Sequence, residues 1–368
     1  MITPEIPPRW TGQIDGPLKS AVRRVPLLSL ATPANAASER ARLVDAFASG
    51  RPRQPEWRYA PFGTSAVKRD LETILTELEK SEPSPLRDIY AARIRELARE
   101  ADLCEAIGTP ALASLAEVRF KSPQAQNTVD AEALANAWIA EEVAAQPSAG
   151  VLVRSDAPDP RSLLSRMRAE VGRLCLPFSV VVHPELSSLA ATGERTILIA
   201  GGRLLSEEAT RRTVMHETHG HALPRTRAAL LAPGIFQVGT AHGIDEQEGY
   251  ALCLESRSEA LGSLRRRELA ARYVAVEAMC GGASFVDAVL FLVETHGIPV
   301  PEAILVAERC FRGSDGSFAG LGRERIYLET FLRVRDWLAV HPSDERVLAS
   351  GQLSLDSIST LRGFVTHV

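Results

Sequence analysis

Little in this chain points toward a membrane or a polyanion. No uncharged apolar run reaches bilayer-spanning length, and the opening MITPEIPPRWTGQIDG lacks the apolar core of a secretory signal. Positive and negative charge nearly cancel: 42 Lys and Arg against 46 Asp and Glu leave a net charge of −4, so no bulk field favours nucleic acid or an anionic lipid surface. Cysteine is sparse and scattered. Cys104, Cys175, Cys253, Cys280 and Cys310 are an odd number with no Cys-x-x-Cys pair, which excludes a disulfide framework and reads as reduced, mostly buried thiols of a cytoplasmic protein. Internal repeats and low-complexity tracts are absent as well. What remains is ordinary globular composition, 45 % hydrophobic and 24 % charged over 368 residues, enough for one large core or two smaller ones.

The chain changes character along its length. Residues 1–60 are rich in proline and poor in apolar periodicity, and are expected to be irregular. Between Ala66 and Ser81, Val67, Leu71, Ile74, Leu75 and Leu78 recur at three and four, which predicts an amphipathic helix; Leu86, Ile89, Ile94 and Leu97 extend the pattern beyond SEPSP. A further helix is expected from Asp130 to about Val143, making 61–150 a helical N-terminal region. Phe178–His183 and Thr196–Ala200 are β-branched runs that predict strands, with Pro184 and Gly193 marking the connection. Ser206 followed by Glu207 and Glu208 opens a helix, and helical patterns continue at about 245–261, 266–280, 284–296, 301–311 and 324–340. The expected fold is α/β (α+β), mostly helical, with a small sheet beside the active-site helix and a catalytic domain over 151–368.

That helix carries the chemistry. It reads Thr213-Val-Met-His216-Glu217-Thr218-His219-Gly220-His221, a His-Glu-x-x-x-His spacing. Two imidazoles four apart share one helix face and can hold zinc between them. Five residues turn a regular helix by about 140°, so both rings face one ion only if a π-type turn intervenes. Gly220 lies inside the span and eases the distortion. A hydrolytic zinc site needs a third protein ligand and an open position. Glu248, in Asp245-Glu246-Gln247-Glu248-Gly249-Tyr250-Ala251, is the candidate; His219, three residues from His216, is the rival ligand. Glu255, seven residues after Glu248, falls on nearly the same face about 10 Å further on, which suits it to orienting a ligand imidazole. Glu217 is the candidate general base and His242 a candidate residue of the cleft wall.

With these residues in view, the sequence resembles the tubulin tyrosine carboxypeptidase family, whose bacterial members are called flavohaemoglobin expression-modulating QEGLA-motif proteins. The family's His-Glu-x-x-x-His stands here as His216–His221, and its Gln-Glu-Gly-Leu-Ala element as Gln247-Glu248-Gly249-Tyr250-Ala251. The family's third element, Arg-x-Phe-Arg-Gly then Thr-Lys-Asp-x-x-Tyr-Leu, is resembled by Arg309-Cys310-Phe311-Arg312-Gly313 followed by Gly322-Arg323-Glu324-Arg325-Ile326-Tyr327-Leu328. The likeness spans roughly residues 55–340. Departures are His219-Gly220 for Gly-Thr, Tyr250 for Leu, and Arg323-Glu324 for Lys-Asp. The helix alone is also similar to that of dipeptidyl peptidase III, but the downstream spacing is not.

The resemblance implies a Zn2+-dependent carboxypeptidase acting on a peptide or protein C-terminus. A terminal carboxylate needs a cation, and Arg312 or Arg323 is the candidate partner; Tyr327 is a candidate donor to the oxyanion, and Tyr250 a candidate substrate contact. Spacing alone shows a hydrolytic zinc site, so two alternatives stay open: an endopeptidase or amidase that processes one dedicated peptide, and a non-catalytic regulator on a peptidase fold. Intact Glu217 argues against the second, since a dead scaffold has no chemical need for the base.

Overall fold

The structure is a computed structural model that describes residues 5–121, 125–142, 151–184 and 186–365. The N-terminal helices are α1 (Thr11–Arg23), α2 (Leu27–Leu30), α3 (Ala36–Ala48), α4 (Ser65–Glu79), α5 (Pro85–Ala106), α6 (Ala111–Phe120) and α7 (Ala125–Ile139). Next come β1 (Val153–Arg154), α8 (Leu163–Arg173), β2 (Ser179–His183), β3 (Ala190–Thr192), β4 (Thr196–Ala200) and β5 (Leu204–Leu205). Helix α9 (Glu207–Met215), a π-helix over His216–Ala222, and α10 (Leu223–Ala228) follow without a break. The remaining longer helices are α11 (Ile235–Val238), α12 (Gly243–Arg257), α13 (Ser263–Cys280), α14 (Phe285–Glu294), α15 (Val300–Cys310) and α16 (Ile326–Val340). The fold is thus mostly helical with a small amount of sheet.

Two compact units emerge. The first comprises Met1–Pro8, Glu142–Ser263 and Arg333–Val368, the second Arg9–Glu141 and Leu264–Leu332. Residues 264–332 therefore group with the N-terminal helices, where the sequence suggests one domain over 151–368. The suggested limit at residue 150 and the helix end at Val143 lie outside the described residues.

Residues 11–60 need a correction, because three helices replace the irregular segment suggested by the prolines. Pro26 and Pro33 punctuate helices rather than preventing them; Pro17 alone sits inside one. Ile14, Leu18 and Ala21 give α1 a buried stripe. Long-range polar contacts anchor the rest within the second unit. Arg40 grips Glu308 through two hydrogen bonds of 2.7 Å, and Tyr59 donates its hydroxyl to the Ser314 carbonyl at 2.8 Å. No local pattern announces a partner 268 residues away.

In the first unit, β4 lies between β2, which runs parallel to it, and β3, which is antiparallel. Thr192 and Thr196 flank a tight reversal at Gly193, so β3 becomes an edge strand through a short hairpin. The branched side chains of Ile197 and Ile199 alternate toward one face and are fully buried with Leu163, Met167 and Val171 of α8. Ala222, at the end of the π-helix, belongs to the same core and seats that helix against the sheet. Ser206 caps α9, its hydroxyl accepting from the Ala209 amide at 3.2 Å, with Glu207 and Glu208 in the first turn favouring the helix dipole.

Candidate metal centre

The five-residue spacing finds its register in the backbone: α9 passes at His216 into the π-helix, which ends at Ala222 before α10 resumes. One extra residue per turn returns His221 to the side of His216, and their ring centroids lie 4.9 Å apart at 68°. Gly220 has a reason beyond backbone freedom. A Cβ there would stand 2.6 Å from the Ala251 Cβ of α12, so the glycine of one motif makes room for the alanine of the other.

That close approach delivers Glu248. His216 Nε2 and His221 Nε2 are 3.1 Å apart, and Glu248 Oε2 lies 3.5 and 3.7 Å from them. The far side of each ring is engaged. His216 Nδ1 is 2.7 Å from Glu255 Oε1, and His221 Nδ1 is 3.0 Å from Gln247 Oε1. The Gln247 amide is itself oriented, donating to the Gly351 carbonyl and accepting from Gln352 Nε2. With Nδ1 as donor on both rings, two Nε2 lone pairs and a carboxylate oxygen converge on one point. Neutral imidazoles arranged this way repel one another unless a cation stands between them. Ligand atoms about 2.0–2.2 Å from a tetrahedral ion are roughly 3.2–3.6 Å apart, close to the separations here. A proton responds to the same field: burial opposes charge on His216, but Glu248 and Glu255 raise its pKa to about 10, while burial lowers that of His221. The residues fit a metal ion.

Glu217 is buried beside the group, and Thr192 donates its hydroxyl to Glu217 Oε2 at 2.7 Å. Neither Thr192 nor Gln247 is given a role by the sequence. Gln247 had a signal in its place before Glu248; Thr192, on an edge strand 25 residues upstream, had none.

His219 goes elsewhere, with Nε2 2.9 Å from Glu170 Oε1 of α8. Glu170 is held at a pKa of about 2, chiefly by its hydrogen bond to Arg173 and also by His219. His242 stands at the N-terminus of α12 with φ of 59°, its Nδ1 3.8 Å from Asp245 Oδ2. Tyr250 is not positioned as the sequence suggests. Two residues turn a helix by about 200°, and Tyr250 is buried away from the Glu248 face, its hydroxyl donating to Glu345 Oε1 at 3.3 Å. Glu246 shares that reverse side, accepting from the Leu355 amide at 2.5 Å and pairing with Arg333.

Arg312, Arg323 and Tyr327 belong to the second unit. There Glu324 Oε2 accepts from Arg309 Nε at 3.0 Å and lies 3.5 Å from Arg272 Nη1. Burial resists ionisation of Glu324, yet the surrounding arginines hold its pKa at about 2. Arg312 has no ion pair among the described residues, and burial, with Arg309 nearby, lowers its pKa to about 10. Arg272 and Arg323 lie over the buried Tyr327 ring at 5.6 and 5.8 Å from its centroid.

Comparison with known proteins bears on this arrangement. The family model for microtubule-associated tyrosine carboxypeptidase matches residues 45–367. No curated protein matches. Among solved structures, Trypanosoma cruzi metallocarboxypeptidase 1 is similar at 12 % identity and a TM-score of 0.48, covering 97 % of this chain and 90 % of that one. A Shewanella oneidensis protein of unknown function is similar at 11 % identity and a TM-score of 0.42, with 88 % and 76 % covered. Neither score is high enough to argue from; the family rests on the sequence match.

Proposed function

The chain belongs to the microtubule-associated tyrosine carboxypeptidase family, and from that premise we propose that it is a zinc-dependent carboxypeptidase removing C-terminal residues from a peptide or protein. One observation carries the reading: three donor atoms of His216, His221 and Glu248 converge with Glu217 beside them. Two imidazoles and a carboxylate suit zinc. Bound there, zinc would acidify water and polarise the scissile carbonyl.

The protein's own groups do the rest. Glu255 and Gln247 fix the ring orientations by accepting from Nδ1, leaving each Nε2 lone pair for the metal. Glu217 takes the proton from the attacking water and passes it to the leaving amine. Thr192 holds the Glu217 carboxylate by one oxygen, which leaves the other free to accept that proton. No described helix is long and apolar enough to cross a membrane.

The experiment uses full-length protein stripped of metal and reloaded with zinc, incubated with a peptide library and read by mass spectrometry. Loss of single terminal residues that depends on zinc and on Glu217 is the expected result. Internal cuts would replace this reading with the endopeptidase alternative.

A further inference from the structure

Arg225 has no part in the account so far. It lies in α10, four residues after His221, hence on nearly the same side of the helix and about 6 Å along its axis. Several arginines of the first unit are neutralised: Arg333 by Glu246 and Asp356, Arg257 by Glu345, Arg173 by Glu170. Arg225 is not. Its Nε–H is buried with no acceptor, and no carboxylate among the described residues forms an ion pair with it. Burial depresses its pKa, and the charges of Glu194, Glu217 and Glu248 are near enough to oppose this. The side chain retains partial exposure, which leaves it open to an anion from outside the protein. A desolvated guanidinium without a counter-ion is costly, and a bidentate carboxylate is its natural complement.

We infer that Arg225 is the specificity-determining cation of this site and grips the terminal carboxylate of the peptide being shortened. The inference rests on the carboxypeptidase reading. Reach supports it. When one residue is removed, the carboxylate lies one residue beyond the scissile carbonyl, at most about 3.6 Å of chain, and a hydrogen bond adds about 2.9 Å. The cation must then sit within about one helical turn of the metal ligands, which is the position of Arg225 relative to His221.

The test compares matched peptides ending in a free acid or an amide, using zinc-loaded wild type, Arg225→Ala, Arg225→Lys, Arg312→Ala and Arg323→Ala, with zinc content measured for each. Calorimetry supplies a second readout: binding of both peptides to Glu217→Gln protein, with and without Arg225→Ala. We expect wild type to prefer the acid, Arg225→Ala to reduce that preference by about thirtyfold or more, and Arg225→Lys to recover part of it. Binding of the acid should weaken far more than binding of the amide. The acid-to-amide ratio is taken within one preparation, so a partly folded variant still reports. If Arg225→Ala slows both peptides equally, Arg225 serves the oxyanion or the fold and the assignment is overturned. Loss of acid preference in Arg312→Ala or Arg323→Ala, with Arg225→Ala still selective, overturns it too. A wild type indifferent to the terminus sinks the carboxypeptidase reading itself, whereas wild-type selectivity that survives Arg225→Ala sinks the Arg225 assignment alone.

Discussion

The group around His216 and the group around Glu324 are both buried and both unbalanced, in opposite senses. In the first unit, two Nε2 lone pairs and a carboxylate oxygen converge, an electron-rich set. In the second, Arg272, Arg309 and Arg312 surround Glu324, Arg272 also pairs with Glu268, and Arg312 has no ion pair among the described residues. Proteins do not bury charge without compensation. The difference lies in who supplies it. Around Glu324 most of the compensation is internal, through Arg309 and Arg272, so the cluster reads first as structure. Around His216, Glu255 and Gln247 orient the donor atoms, and the set is one that a metal ion would complete.

Removing ligands is the strongest way to break this contrast. His216→Ala or His221→Ala should abolish zinc binding and hydrolysis together, measured by elemental analysis and peptide assay. If either variant keeps a full equivalent of zinc, the ligand set is wrong. Glu217→Gln should keep its zinc and lose about 10²–10⁴ in kcat, because the amide cannot accept a proton. An active Glu217→Gln enzyme would move the base elsewhere.

The second unit should fail differently. Arg309→Ala strips Glu324 of its hydrogen-bonded partner inside the protein and should cost about 3–5 kcal/mol of stability in chemical denaturation, with zinc content unchanged. Arg312→Met removes a guanidinium that has no ion pair and should cost much less. Equal losses for the two would show that Arg312 is as structural as Arg309. Smaller effects sharpen the first group: Gln247→Ala and Glu255→Gln should each weaken zinc affinity about 10–100-fold by releasing a ring, read by chelator competition. The smallest belongs to His219→Ala, which should retain zinc, since its ring is turned to Glu170. Zinc loss there comparable to His221→Ala would restore His219 as a ligand.

Legibility divides along the same physical line. The strands at 179–183 and 196–200, and helices α4, α5, α9 and α12 to α16, follow from local patterns of apolar and capping residues within a few residues, whereas α6, α8 and α11 are not singled out by them. The π-helix follows too, because five-residue spacing between two ligands of one ion leaves a regular helix no solution. Helices α1–α3 were hidden: proline density masked a short apolar stripe, and their anchoring contacts are with residues far downstream. Tyr250 misled because a motif position was read as a place in the cleft, when its turn of α12 faces the interior.

By itself, then, the sequence determined most of the longer elements, the spacing of the candidate ligands and the family, since all three depend on residues a few positions apart or on motif order. Tertiary structure alone decided that Thr192 meets Glu217, that Gln247 turns the His221 ring, and that Arg225 Nε is buried with no acceptor among the described residues. Those are matters of hydrogen-bond partnership and desolvation. They are set by which surfaces come together when distant segments pack, and no local pattern of side chains encodes them.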